Sequence, residues 1–199
     1  GLGRWYGCLP SMLVSDLVRF CSTDLSASGE ILVNYCGSGT VALEFARAGF
    51  STHGIDINPA ALFLSYAKTQ KIRPLDSFKL KEYSDRIKSI SDSGSVLSGC
   101  NKNLLANDDK WISDDSKQLF AKVIGFINDL EIFDEQIVLS LALLNISVDY
   151  CQIDKRCTNH YVFKHNEVSE GDFYRDLEKE IEKIFIPERP GEPKITWAN

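Results

Sequence analysis

The stretch NYCGSGTVALEFARAGFSTHGIDINP, from Asn34 to Pro59, decides the fold. It continues ILV, a short apolar run with β-branched residues that stops at Gly37, the pattern of a buried strand. Thr40 through Ala48 then supplies Val41, Leu43, Phe45 and Ala48 among good helix formers and ends at Gly49, a natural C-terminal cap. FSTHGID reads as a second strand, and PAALFLSYAKTQ as a second helix with Asn58 as cap and Pro59 at the first helical position. Strand, helix, strand and helix in so short a span predict a parallel sheet with right-handed crossovers.

A strand, a Gly-x-Gly turn, a helix and an acid closing the next strand about twenty residues later form the adenosine-binding arrangement of open α/β sheets. Gly37 and Gly39 let the backbone pass close to a ligand, and the amides after Gly39 face a negative group. Asp56 can accept both ribose hydroxyls. The spacing Gly37-x-Gly39-x-x-Ala42 also fits the dinucleotide fingerprint, so a dinucleotide and S-adenosylmethionine both stay open on spacing alone.

Outward from this unit, Pro10 and SMLVSDLVRFC predict a helix with Met12, Leu13, Leu17, Val18 and Phe20 or Cys21 on one face. From Arg73 to about Asn107 the chain is polar and Ser-rich, a surface insertion with a helix over Asp76–Ile90. Two apolar helices follow, DSKQLFAKVIGFINDLEIF and DEQIVLSLALLNISVDY, then an irregular stretch over 151–170. The segment DFYRDLEKEIEKIF is a charged amphipathic helix, and PERPGEP breaks it before the terminal run KITWAN. The expected organisation is a cofactor-binding half over 1–72, a mainly helical insertion over 73–186 and a strand over 187–199 leading back to the sheet.

Composition narrows the function. The 199 residues are 44% hydrophobic, enough for a core, and no apolar run reaches the roughly 18 residues that span a bilayer. No membrane association is expected. Cys8, Cys21, Cys36, Cys100, Cys151 and Cys157 are too scattered for a disulfide framework, so reduced thiols and a cytoplasmic setting are expected. A net charge of −6 argues against a broad phosphate-binding surface, so any nucleic-acid contact is local or shared with a partner.

The residue identities go further than the spacing. CGSGT, the apolar helix and GIDINP closely resemble the amino-group DNA methyltransferases, whose usual forms are DPFCGSGT and GIDINP. GRWYGCLPSMLVSDLVRF is similar to that family's leading segment, and AKTQ after the second helix also matches, so the resemblance covers roughly the first seventy residues. Trp111 and the helical pair after it resemble, more loosely, a helical insertion of some members.

The resemblance implies an incomplete Rossmann-like methyltransferase sheet that binds S-adenosylmethionine. Cys36, Gly37, Ser38 and Gly39 would line the cofactor, with Thr40 near its carboxylate, Asp56 on the ribose and Ile57 on the adenine. Tyr6 and Pro10 would lie near the methionine end. Two positions depart from the pattern: Val33 stands where the family has an acid that helps hold the cofactor's amino group, and Asn34 stands for Pro. The chain also contains no Asp/Asn/Ser-Pro-Pro-aromatic tetrapeptide, the loop that grips a flipped base, and KITWAN resembles the strand just before it. A partner chain is therefore expected to supply the remaining strands, the catalytic loop and DNA recognition, as in a split methyltransferase or a cut polypeptide, and no residue of this chain is expected to be catalytic.

Other readings are a non-catalytic scaffold or regulatory subunit, motivated by Val33 and the absent loop, and part of an RNA guanine methyltransferase, some of which carry a similar CGSGT turn. Cys151, Cys157, His160 and His165 offer four zinc-ligand types, but the first spacing is longer than usual, and a loop of ordinary thiols and imidazoles is expected. Lys155, Arg156 and Lys164 could contact phosphates, but three basic residues in a loop are usually just solvated, and His53, inside a strand, reads as structural.

Overall fold

The computed structural model describes residues 9–23, 29–69, 75, 77–90, 111–153 and 163–184, together with the backbone of Ile195–Ala198. Tyr6, Cys157, His160, Lys155 and Arg156 lie outside the described residues. Within them the chain is α/β and mostly helical, with a small parallel sheet. It divides into two compact units, Gly1–Ile72 with Ile186–Asn199, and Arg73–Phe185.

In the first unit β1 (Glu30–Asn34), β2 (Ser51–Ile55) and β3 (Ile195–Ala198) form a three-stranded parallel sheet in the order β1-β2-β3. Leu32 pairs with His53 and Val33 with Gly54, and Gly54 pairs in turn with Trp197. Side chains alternate across the strands, so Ile31 and Val33 face one way and Leu32 and Asn34 the other. The first face is covered by helices α1 (Ser11–Ser22), α2 (Thr40–Arg47) and α3 (Pro59–Thr69). Val33, Cys36 and Ala42 form one buried cluster against Ile31, Val41 and Leu62, while Val14, Val18, Phe45 and Phe50 form another. The rings of Phe45 and Phe50 meet edge-on at 5.8 Å, closing the turn at Gly49. On the second face Leu32 and Ile55 remain exposed.

The described first helix differs from its sequence reading. Of the face that periodicity groups together only Val18 is buried, joined by Val14, and Met12, Leu13, Leu17 and Phe20 are exposed. The Val14–Val18 stripe, one turn apart, is the part that meets Phe45 of α2, and Ser15 Oγ donates to Glu44 on the same side at 3.3 Å.

The second unit packs α4 (Ser77–Ser89), α5 (Asp114–Asn128), α6 (Phe133–Ser147), a 3-10 turn (Val148–Tyr150) and α7 (Glu170–Lys183). Phe173 is fully buried, with the rings of Phe120, Tyr150 and Tyr174 at 5.9, 5.0 and 5.5 Å. Buried Glu135 is compensated by Lys79 and the Tyr83 hydroxyl, as a buried carboxylate requires. The apolar segment read as a single helix through Phe133 stops instead at Asn128. The Asp129 N–H donates to the Gly125 and Phe126 carbonyls of the last turn at 3.2 Å, and Gln136 Nε2, from the next helix, donates to the Leu130 carbonyl at 2.7 Å. No helix among the described residues is long and apolar enough to cross a membrane.

Candidate functional site

The chain leaves β1 through a turn with unusual backbone angles: φ is +57° at Tyr35, +53° at Gly37 and +79° at Gly39. Two are glycines, for which the left-handed region carries no Cβ penalty. Tyr35 accepts that penalty and stands 85% exposed beside the loop. Gly39 is the N-cap of α2 and contributes no side-chain cap, so Thr40, at the first helical position, begins the run of amides without intrahelical partners.

Asp56, just past the end of β2, reaches this turn. Its Oδ2 accepts the Gly37 N–H at 2.8 Å and its Oδ1 accepts the Asn58 N–H at 2.8 Å. Asn58 in turn accepts the Ala60 N–H at 2.9 Å and caps α3, with Pro59 as the first helical residue. The Cys36 N–H donates to the Ile55 carbonyl and the Gly39 N–H to the Cys36 carbonyl, each at 2.9 Å. Both loop-glycine amides are thus consumed inside the protein, and a carboxylate lies against the first. The Gly37 and Gly39 amides are therefore not offered to a ligand, whereas the amides from Thr40 onward form the helix N-terminus at which a negative group could sit. The turn suits a ligand with hydroxyl groups to share the outer lone pairs of Asp56.

Cys36 and Ser38 are buried, whereas Ile57 is 93% exposed and available to a flat ligand. Burial pushes the Cys36 thiol above its ordinary value; the Ser65 hydroxyl opposes this and the Asp56 charge adds to it, which keeps the thiol protonated and unreactive at neutral pH. Pro10 is exposed immediately before α1, and its carbonyl accepts the Val14 N–H at 3.2 Å. The structure therefore gathers Cys36 to Thr40 with Asp56 in one turn. Val33 is in the apolar cluster with Cys36 and Ala42.

One residue of this site went unread in the sequence. Ser65, on α3 and fully buried, donates from Oγ to the Gly37 carbonyl at 2.6 Å. A Cβ on Gly39 would lie 2.6 Å from Ser65 Oγ and 2.9 Å from its Cα, so Gly39 is required by the approach of α3 as well as by its φ. Ala61, Leu64, Ser65 and Thr69 are buried along one stripe of the helix, and hydroxyls on an apolar stripe are the signal that could have found Ser65.

His53, mid-strand on β2, places Nε2 3.7 Å from Glu30 Oε1, within ion-pair reach and too long for a hydrogen bond. Among the described residues no three His, Cys, Asp or Glu side chains cluster as metal ligands. No protein-family model matches the chain, and no curated protein or solved structure matches it either.

Proposed function

We propose that the glycine-loop unit binds S-adenosylmethionine and is the cofactor-binding part of a DNA methyltransferase acting on the exocyclic amino group of adenine or cytosine. The observation that carries the reading is the Asp56 carboxylate held against the Gly37 amide at the mouth of the turn. That pairing holds the carboxylate where its remaining lone pairs can accept ribose hydroxyls and where its charge favours a sulfonium. The identities CGSGT and GIDINP, shared with the amino-group DNA methyltransferases, support the choice of cofactor and reaction.

The sheet supports a Rossmann-like assignment. Read as β3-β2-β1, its strand order is that of the first half of a doubly wound sheet, whose fourth strand pairs with the free edge of the first. Among the described residues β1 pairs only with β2, and the ligand position of such folds is the carboxyl end of that strand, where the glycine loop stands. An open edge of β1 and an exposed face at Leu32 and Ile55 are surfaces that parallel sheets cover. A second chain, or a further part of the same polypeptide, covers them in this reading and brings the base-gripping loop and DNA recognition. Asp56 and Ile57 orient the cofactor, and the partner holds the amino nitrogen in line with the methyl group, so this chain contributes orientation to catalysis.

A non-catalytic, scaffolding subunit is the second reading, favoured by one observation: Val33 puts a methyl-bearing core residue where an acid would hold the cofactor's amino group. Amide hydrogen exchange with and without S-adenosylmethionine separates the two. Binding slows exchange over residues 36–40 and 55–58; unchanged exchange there at saturating cofactor leaves the scaffold.

A further inference from the structure

We infer that Ser65 is a positioning residue for the cofactor site, acting through Gly37; the inference rests on the cofactor reading above. Gly37 is held on both sides of its Cα: Asp56 takes its N–H at 2.8 Å and Ser65 Oγ donates to its carbonyl at 2.6 Å. With φ at +53°, Gly37 has no side chain of its own to resist rotation, so these two bonds set its conformation. The orientation of the Asp56 carboxylate, which would meet the ribose, therefore depends on a hydroxyl 28 residues further along the chain from Gly37.

The hydroxyl is committed to this task in an unusual way. A serine inside a helix ordinarily returns its hydroxyl to a carbonyl of the preceding turn. Thr69, one turn on, does so, donating to the Ser65 carbonyl at 3.1 Å, whereas Ser65 donates out of the helix to the loop. Cys36 Sγ lies 3.8 Å from the same oxygen, and Gly39 passes so close that a Cβ there would collide with it. Ser65 thus lies against Cys36, Gly37 and Gly39 of the turn while itself fully buried.

The test compares Ser65→Ala with Ser116→Ala in the full chain. Ser116 is an equally buried serine of the helical unit whose Oγ donates to the Tyr150 carbonyl at 2.7 Å, so its loss has a similar structural cost away from the loop. Calorimetry with S-adenosylmethionine, well below the melting temperature, is expected to show about tenfold weaker binding for Ser65→Ala, the value of roughly one net hydrogen bond. The NMR amide signals of Gly37 and Asn58 should move with it, and Ser116→Ala should change neither. Ser65→Cys, which keeps the shape and weakens the donor, carries the same expectation if Ser65→Ala does not fold. Binding within twofold of the parent and unmoved Gly37 and Asn58 signals would overturn the positioning role alone. A parent protein that binds no S-adenosylmethionine would overturn the cofactor reading and the role together.

Discussion

Gly39→Ala gives the sharpest test of how the glycine turn is built, because Gly49→Ala supplies a matched reference. Gly39 has φ +79° and Gly49 φ +96°, so an alanine suffers left-handed strain of about 1–2 kcal/mol at either position. They differ in what the new methyl meets. At Gly49 there is nothing within 4 Å, while at Gly39 the Cβ falls 2.6 Å from Ser65 Oγ and 2.9 Å from its Cα and Cβ. Carbon pairs are comfortable near roughly 3.5–4.0 Å, so α3 must move outward and the Ser65–Gly37 hydrogen bond must stretch or break. Overpacking and that bond together cost about 2 kcal/mol more than strain alone. Native-state hydrogen exchange at amides of α2 and β2 reads the opening of this unit directly. Gly39→Ala should raise the opening equilibrium about thirtyfold beyond Gly49→Ala, which is the same 2 kcal/mol. Equal losses for the two variants would refute the close contact between α3 and the turn.

Asp56→Ala removes the acceptor of two backbone amides and should destabilise the glycine-loop unit by about 2 kcal/mol, as well as abolish S-adenosylmethionine binding in calorimetry. Ile57→Ser separates ligand contact from folding: the side chain is almost fully exposed, so stability should change by less than about 0.5 kcal/mol while cofactor affinity falls severalfold. In the helical unit, burial and the hydrogen bond to Glu135 push Tyr83 up to about 12. Its folded value lies above its unfolded one, so this stabilisation is complete below pH about 10 and is lost between about 10 and 12, and Tyr83→Phe should remove that part of the alkaline transition in pH-dependent denaturation. Burial acts to raise Glu178, but hydrogen bonds from Ser84 and Lys88 outweigh it and hold its carboxyl below the ordinary range. That contribution is present above the unfolded carboxylate value and is lost as pH falls through the lower folded one. Glu178→Gln should therefore flatten the acid limb of the denaturation profile.

What could be read from the sequence is what local chemistry determines. Asn58 and Pro59 open a helix because an amide side chain and a fixed φ act within one turn, and that helix begins where they predict. ILVN forms a strand ending before the glycines because β-branched residues and a left-handed turn cannot share one extended run. The end of α5 was illegible, since it depends on Gln136 of the following helix reaching back to Leu130. So was the buried part of α1: periodicity supplies an apolar face but not the narrower stripe that Phe45 covers. Within the candidate site, Asp56 was visible as an acid closing a strand, yet its bonds to Gly37 and Asn58 were not. Ser65 was invisible for the same reason, because its partner is supplied by a different strand-to-helix turn.

The most direct measurement is calorimetry of the chain with S-adenosylmethionine, run in parallel with a nicotinamide dinucleotide. Saturable binding of S-adenosylmethionine in preference to the dinucleotide is expected, because the identities CGSGT and GIDINP favour it and the Gly37 and Gly39 amides are already held by Asp56 and the Cys36 carbonyl. Tighter binding of the dinucleotide, or binding of neither, would contradict that expectation.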